Sequence, residues 1–194
     1  MFPADPKARG DLAQGTLYAI SGEENWIYYG QVTPAKRIGF LRRRDRVVRA
    51  PGEIMAIGVM SQVIVTYPSL GRAVRAGAWR KLGKFQLHSD LLVTPDTVQW
   101  PVSISVVTVR SGGKVSRTIR AEDPAIQDLE VITAWDAMAH IPQRLTADFG
   151  AEPAAWHVGG PVWRQRRVKE AYAERFPDTP WHRLPADWVR STFP

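Results

Sequence analysis

The residues whose chemistry stands out in this sequence are arginines, which crowd into two segments. The first segment holds seven basic residues within fourteen positions, opposed only by Asp45: Lys36, Arg37, Arg42, Arg43, Arg44, Arg46 and Arg49. The second begins with a tryptophan near the start of a predicted helix: Trp163, Arg164, Arg166, Arg167 and Lys169. Guanidinium groups bind carboxylates and phosphates through paired hydrogen bonds, and aromatic rings stack on them. Both segments are therefore candidate partner-binding sites, and the alternative for each is a solvated face.

Of the two segments, we predict the helical one as the main contact with a partner. Residues three and four apart share a helix face, so Trp163, Arg166 and Arg167 would present one surface. Along a strand, alternation would divide the arginines of the first segment between two faces. The partner-binding residues predicted from the sequence are thus Trp163, Arg164, Arg166 and Arg167, with a second candidate site at Arg42, Arg43 and Arg44.

Side chains that catalyse reactions or hold cofactors form no recognisable pattern in the sequence. There is no cysteine, which excludes thiol catalysis and Cys-ligated metals. No G-x-S-x-G elbow and no Walker-type phosphate loop occurs. The four histidines are far apart in the chain: His88, His140, His157 and His182. We therefore predict no catalytic residue, no metal and no cofactor. An enzyme whose site is assembled from distant residues is the weakest of the alternatives.

The charge of the chain is strongly basic and unevenly placed. Its 194 residues carry a formal net charge of +7, and the sequence pI is about 10.0. Residues 1–121 and 154–194 hold the basic excess, whereas residues 122–153 contain Arg144 as their only basic residue against seven carboxylates. A basic body steers nucleic acids, acidic proteins or anionic surfaces towards itself, and charge alone selects none of them.

The first 121 residues read mostly as strands. Segments 15–20 and 25–32 flank a turn-like Ser-Gly-Glu-Glu-Asn sequence and predict a hairpin. Segment 102–120 predicts a second hairpin, with β-rich runs on either side of Ser-Gly-Gly. Residues 51–67 open with Pro-Gly and predict a central strand buried on both faces. Further predicted elements are a strand over 37–49, a short helix capped by Ser69, and an extended segment over 79–87.

Helical signals follow residue 121. Asp123 can cap a helix that has Pro124 at its first position, and Pro142 would end or kink it. One face of this helix would hold five apolar residues at spacings of three: Ile126, Leu129, Ile132, Trp135 and Met138. A second helix is predicted from Pro161 to about Arg175. We thus predict one α+β domain over 1–194, with a mostly antiparallel twisted sheet in the first two-thirds and helices in the C-terminal third.

The eight tryptophans divide into two groups. Four lie in apolar, element-like surroundings and are predicted to belong to the core: Trp26, Trp79, Trp100 and Trp135. Four lie in a region rich in proline and arginine, where binding hot spots and anchors of an irregular tail are equally good readings: Trp156, Trp163, Trp181 and Trp188.

The cellular location follows from what the sequence lacks. No apolar stretch approaches the roughly 20 residues that a membrane-spanning helix needs. Residues 1–15 have no apolar core of the kind that a secretory signal contains. We therefore expect a cytoplasmic protein that does not enter a membrane.

Short motifs in the first half resemble the immunity protein 26 family. The family opens with a glycine and an alternating strand ending in Ala-Ile, then a second strand with an aromatic residue before glycine. Here these are Gly15-Thr-Leu-Tyr-Ala-Ile and Trp26-Ile-Tyr-Tyr-Gly30-Gln-Val. Trp79-Arg-Lys-Leu-Gly83-Lys is similar to a later family segment that follows a long apolar strand. The resemblance covers about residues 14–101. Ser21-Gly22 stands where the family more often has proline, and the C-terminal third is not covered.

The resemblance implies a non-enzymatic immunity protein, which binds a partner toxin in the cytoplasm of the bacterium that produces it. Its partner would be the cognate toxin, and the basic charge would favour an acidic toxin surface. A basic nuclease toxin would instead meet the acidic stretch at 122–136. The competing class is a nucleic-acid-binding accessory protein that uses the arginine segments. It is the second choice because no RNP1-like string, KH loop or zinc finger is present.

Overall fold

The computed structural model describes residues 1–101, 103–112, 114–150 and 159–191. The chain forms two compact units, and each is assembled from two separate stretches. Unit 1 comprises Met1–Val93 and Ala134–Trp156, and unit 2 comprises Thr94–Thr133 and His157–Pro194. That the whole chain acts as one domain stays a prediction.

The described residues confirm the predicted α+β class, with mostly antiparallel sheets in the first two-thirds and helices towards the C-terminus. The strands are β1 (Thr16–Ser21), β2 (Ile27–Val32), β3 (Ile38–Asp45), β4 (Val59–Val65), β5 (Trp79–Lys84), β6 (Thr97–Gln99), β7 (Val106–Ser111), β8 (Lys114–Arg120), β9 (Glu130–Val131), β10 (Ala134–Trp135) and β11 (Gly160–Pro161). The α-helices are α1 (Pro51–Met55), α2 (Tyr67–Arg75), α3 (Ile141–Phe149) and α4 (Val162–Arg175). Short 3-10 turns occur at Glu23–Asn25, Ser89–Leu91, Pro124–Ile126 and Pro180–His182.

Unit 1 is built on a six-stranded sheet in the order β10-β4-β3-β2-β1-β5. All neighbours are antiparallel except β10 and β4. The predicted first hairpin is confirmed, since Tyr18 of β1 lies opposite Gly30 of β2. Alternation along β1 sends Tyr18 and Ile20 to one apolar cluster and Leu17 and Ala19 to another. Strand β1 is therefore buried on both faces, and so is β2, whose Tyr28 and Tyr29 belong to different clusters.

The prediction of a long buried strand over 51–67 is wrong in its first half. Residues Pro51–Met55 form α1, because Pro51 has the φ angle of a helix and needs no hydrogen-bond acceptor at a helix start. Ile54 of α1 is buried against the sheet. The strand begins only at Val59, and its first three residues are half-buried.

Helix α2 starts two residues before the predicted cap. Its N-cap is Thr66, and Ser69 lies inside the first turn. The Ser69 hydroxyl donates to the carbonyl of Thr66 over 2.8 Å and accepts from the backbone N–H of Ala137 over 2.9 Å. Leu70, Ala73 and Val74 of α2 are buried.

Unit 2 contains a five-stranded sheet in the order β11-β9-β6-β7-β8. The predicted hairpin over 102–120 is confirmed as β7 and β8, with Val107 opposite Ile119. Gly112 follows β7 at a positive φ of 56°, a conformation that glycine adopts without strain. The core of this unit packs side chains from the sheet against the start of α4: Val98, Val107, Val109, Ala121, Ile126, Val131 and Val162.

The predicted helix from Asp123 to Pro142 is wrong. Asp123 does cap a turn, accepting from the backbone N–H of Ala125 over 2.8 Å, but this 3-10 turn ends at Ile126. Strands β9 and β10 follow. A spacing of three residues drifts by about 60° per step around an α-helix, so the five apolar residues would not stay on one face. The β-branched run from Val131 to Thr133 also favours extended backbone.

Proline 142 begins an element instead of ending one. It lies in the first turn of α3, where a missing N–H costs nothing. Ile141 and Leu145 of α3 are buried in the larger core of unit 1. The second predicted helix is confirmed as α4, which begins at Val162 and ends at Arg175.

We predict that Gly15→Ala destabilises the protein by about 2 kcal/mol. Gly15 has a positive φ of 83°, and a Cβ there would lie 2.4 Å from the backbone oxygen of Phe85. The matched control is Gly58→Ala, since a Cβ at Gly58 meets nothing within 4 Å. Urea unfolding followed by circular dichroism measures both variants. Equal stability of the two would contradict the prediction.

Candidate functional site

A stack of arginines on aromatic rings lies on unit 1. We call Trp26, Arg44, Arg46 and Phe149 the arginine–tryptophan surface. The Arg44 Cζ lies 4.3 Å from the ring centroid of Trp26 and 4.5 Å from that of Phe149. The Arg46 Cζ lies 3.6 Å from the Trp26 centroid, and its guanidinium also donates to the carbonyl of Glu24. Each such contact stabilises the cation by about 0.5–1 kcal/mol at an exposed site.

The strand pairing explains which arginines of β3 reach this surface. Arg44 lies opposite Tyr28, and Phe40 lies opposite Gly30. Four residues of β3 thus span the same length as two residues of β2, which makes a β-bulge in β3. Because the bulge adds an even number of residues, Arg44 stays on the face of Phe40 and alternation still divides the arginines. Arg44 contacts Trp26 and Phe149, whereas Arg43 donates to Asp45 and Glu53. Arg42 is exposed, and Arg44 is half-buried beside Trp26.

Asp45 neutralises two arginines next to this surface. Arg43 donates to both of its carboxylate oxygens, over 2.7 and 3.3 Å, and Arg49 donates over 3.2 Å. Burial raises the pKa of Asp45, but the hydrogen bonds from Arg43 and Arg49 outweigh burial and hold the pKa below 3.8. Arg43 also donates to the carbonyl of Glu53. Within the described residues, by contrast, the Arg42 side chain has no hydrogen bond or ion pair.

The second predicted site, on α4, is divided by the fold. Arg164 lies with its Cζ 5.3 Å from the ring centroid of Trp163, which is half-buried. Arg166 is only 4% exposed and donates to the carbonyl of Val189 over 2.5 Å, whereas Arg167 is exposed. Trp163, Arg166 and Arg167 therefore do not present one exposed surface, and Arg166 holds the following segment of chain.

This segment, residues 180–191, is the irregular tail that the sequence predicts. Trp188 anchors it by stacking on Trp100, with ring centroids 5.8 Å apart and ring planes at 13°. The Trp188 Nε1 and the Ser191 backbone N–H both donate to Glu170, over 2.9 and 2.7 Å. Trp181 is not an anchor, because 75% of it is exposed.

A cavity of about 220 Å³ lies beside α4 in unit 2. Four of its lining residues share one face of α4, at positions i, i+3, i+4 and i+7: Gln165, Val168, Lys169 and Tyr172. The other lining residues are Ser103 and five residues of the tail: Trp181, His182, Arg183, Leu184 and Pro185. Burial lowers the pKa of Lys169 below 10.5. Sequence reasoning missed this site, although the helical spacing of the four residues is a signal that could have found it.

Two of the histidines have local structural partners. The Nδ1 of His88 accepts from the N–H of Asp90, and that of His140 accepts from the N–H of Asp136. Across the described ranges, no group of three or more His, Cys, Asp or Glu residues is placed to hold a metal ion.

Of the tryptophans that the sequence predicts to belong to the core, Trp79 and Trp135 are buried, and Trp26 and Trp100 are half-buried. Trp156 and His157 lie outside the described residues.

Among the described helices, none combines the length and the apolar character that crossing a membrane requires. No protein-family model, curated protein or solved structure matches this chain. We therefore infer its function from the geometry above and from the short motifs in residues 14–101.

We predict that Arg166→Ala lowers the free energy of unfolding by about 2 kcal/mol, because it leaves the Val189 carbonyl unpaired and removes packing beside Trp188. Arg167→Ala, one residue further along the same helix, should stay within about 0.5 kcal/mol of the wild type. Chemical denaturation measures both changes. A larger loss from Arg167→Ala than from Arg166→Ala would be incompatible with the described geometry.

We predict that Lys169→Met raises the melting temperature at pH 7. The folded-state pKa of Lys169 is lowered, so holding its charge costs stability below that pKa, and the cost disappears as the pH rises to about 10.5. Lys114→Met is the control, since Lys114 is an exposed residue of β8 in the same unit. Thermal scans at pH 7 test the difference, and a lower melting temperature for Lys169→Met than for the control would refute it.

Proposed function

We propose that this protein is an immunity protein, which binds a partner bacterial toxin in the cytoplasm of the producing cell and neutralises it without catalysing a reaction. The resemblance of residues 14–101 to the immunity protein 26 family supports this function. The observation that carries it is the arginine–tryptophan surface, where guanidinium groups are held on aromatic rings.

Holding the guanidiniums in place favours tight binding. A free arginine side chain has about 2 kcal/mol of rotamer entropy to lose, and stacking on Trp26 has already restricted Arg44 and Arg46. A stacked guanidinium keeps N–H donors at its edge for the carboxylates of a partner. Arginine and tryptophan are also enriched at binding hot spots. The net charge of +7 would speed the encounter with an acidic toxin.

A protein partner suits this surface better than a nucleic acid. A surface that follows the phosphate backbone of a nucleic acid needs several guanidiniums whose N–H donors are unpaired. Here Arg43 and Arg49 already donate to Asp45. Nucleic acid is the second candidate, supported by the combination of stacked rings and cations, which also binds single strands.

The direct test is to express the toxin encoded by a neighbouring gene with and without this protein. We expect growth to be restored and a stoichiometric complex to purify from the cells after nuclease treatment. Unchanged toxicity in the presence of folded, soluble protein would defeat the proposal. Purification with nucleic acid and no toxin would favour the second candidate.

Within this proposal, we predict that Arg46→Ala weakens toxin binding roughly 30-fold, the effect of losing about 2 kcal/mol at a hot spot. Arg42→Ala should act mainly on the association rate and its salt dependence. The control is Arg80→Ala, which removes an exposed arginine of β5 in the same unit. Surface plasmon resonance at two salt concentrations separates these effects. A loss confined to Trp163→Ala or Arg167→Ala would move the contact to α4.

A further inference from the structure

We propose that the cavity beside α4 binds a small aromatic carboxylate. All the residues that line the site belong to unit 2, and none of them belongs to the proposed toxin contact on unit 1. Its volume, its ring-lined wall and its lysine each restrict the ligand.

The volume sets the size of the ligand. A closed protein cavity of about 150 Å³ accepts benzene. A cavity of about 220 Å³ therefore takes a single ring with one or two small substituents. It is smaller than the roughly 300–1,000 Å³ of pockets that hold drug-sized molecules, so a nucleotide is too large to be enclosed.

The wall is formed by rings and aliphatic side chains. The ring centroids of Tyr172 and His182 lie 4.8 Å apart, and Phe176 packs against both, at 5.6 and 5.5 Å. Trp181 lines the cavity while 75% of its surface remains exposed, an unusual state for the largest apolar side chain. A flat ligand would stack on the Tyr172 and His182 rings, which line the cavity, and would cover part of Trp181.

Lysine 169 supplies the positive charge. Its Nζ lies 5.2 Å from the ring centroid of Trp100, and no carboxylate lies within ion-pair distance of it in the described part of unit 2. The adjacent Glu170 is committed to Trp188 and Ser191. A partly buried ammonium without a counter-ion gains most from a ligand that brings one, and a carboxylate provides it. Arg183, which also lines the cavity, adds to the attraction.

Gln165 lines the cavity from the same face of α4 as Lys169, because it precedes Lys169 by four residues. Its Oε1 is buried and has no accessible surface, so a ligand in the cavity does not reach that oxygen. Gln165 therefore adds no polar requirement, but a charge placed at this position would lie next to the Lys169 ammonium.

The test is calorimetric titration of the full-length protein with 4-hydroxybenzoate. We expect saturable binding with a Kd of about 1 mM or lower, the range for a ligand of this size. The neutral 4-hydroxybenzamide should bind roughly tenfold more weakly because it lacks the charge. Absence of saturable binding up to about 10 mM 4-hydroxybenzoate would overturn the proposal.

Two variants locate the site. Lys169→Met should weaken 4-hydroxybenzoate binding roughly tenfold or more. Gln165→Glu should do the same without unfolding the helix, because it places a carboxylate four residues before Lys169, where it pairs with the ammonium and repels the ligand. Lys114→Met should bind as the wild type does, and melting temperatures establish that each variant is folded. Unchanged affinity in both folded cavity variants would overturn the proposal.

Discussion

Unit 1 depends on two hydrogen bonds to one buried residue. Ala137 is fully buried, its N–H donates to the Ser69 hydroxyl, and its carbonyl accepts from the Trp79 Nε1 over 3.0 Å. An unpaired backbone group at such a depth would cost several kcal/mol, so both side chains are required there. They fix the point at which the chain returns to unit 1. From that point α3 runs to Phe149, which completes the aromatic contacts of Arg44.

The sequence predicts the elements whose hydrogen bonds all form within a short stretch of the chain. Both hairpins and α4 follow from alternation, turn residues and helical spacing, and the structure confirms them. The segment after Asp123 could not be read in this way, because its conformation is set by distant partners. Val131 pairs with Val98, and Ala134 pairs with Ile64, so two short strands replace the helix. Long-range pairing overrides a weak helical pattern.

The candidate sites show the same division between local and distant information. The run of arginines at Arg42, Arg43 and Arg44 is visible in the sequence, but Phe149 lies too far along the chain to be connected with it. From the sequence alone, Arg166 would likewise be placed on the surface, because it is charged. It is buried because the tail packs against it at Val189. Helix α4 thus carries two pairs at i, i+4. Arg166 and Glu170 bind the tail, while Gln165 and Lys169 line the cavity.

The division of the chain between two units also determines the order in which parts of each unit are synthesised on the ribosome. Strand β10 and α3, which complete unit 1, are synthesised only after residues 94–133 of unit 2. A nascent chain that ends at Thr133 therefore leaves Ser69 and Trp79 without the backbone of Ala137. Unit 2 in turn is complete only after α4 and the tail have been synthesised. Translation accordingly interleaves the two units, and the first stretch of unit 2 emerges while unit 1 is still incomplete.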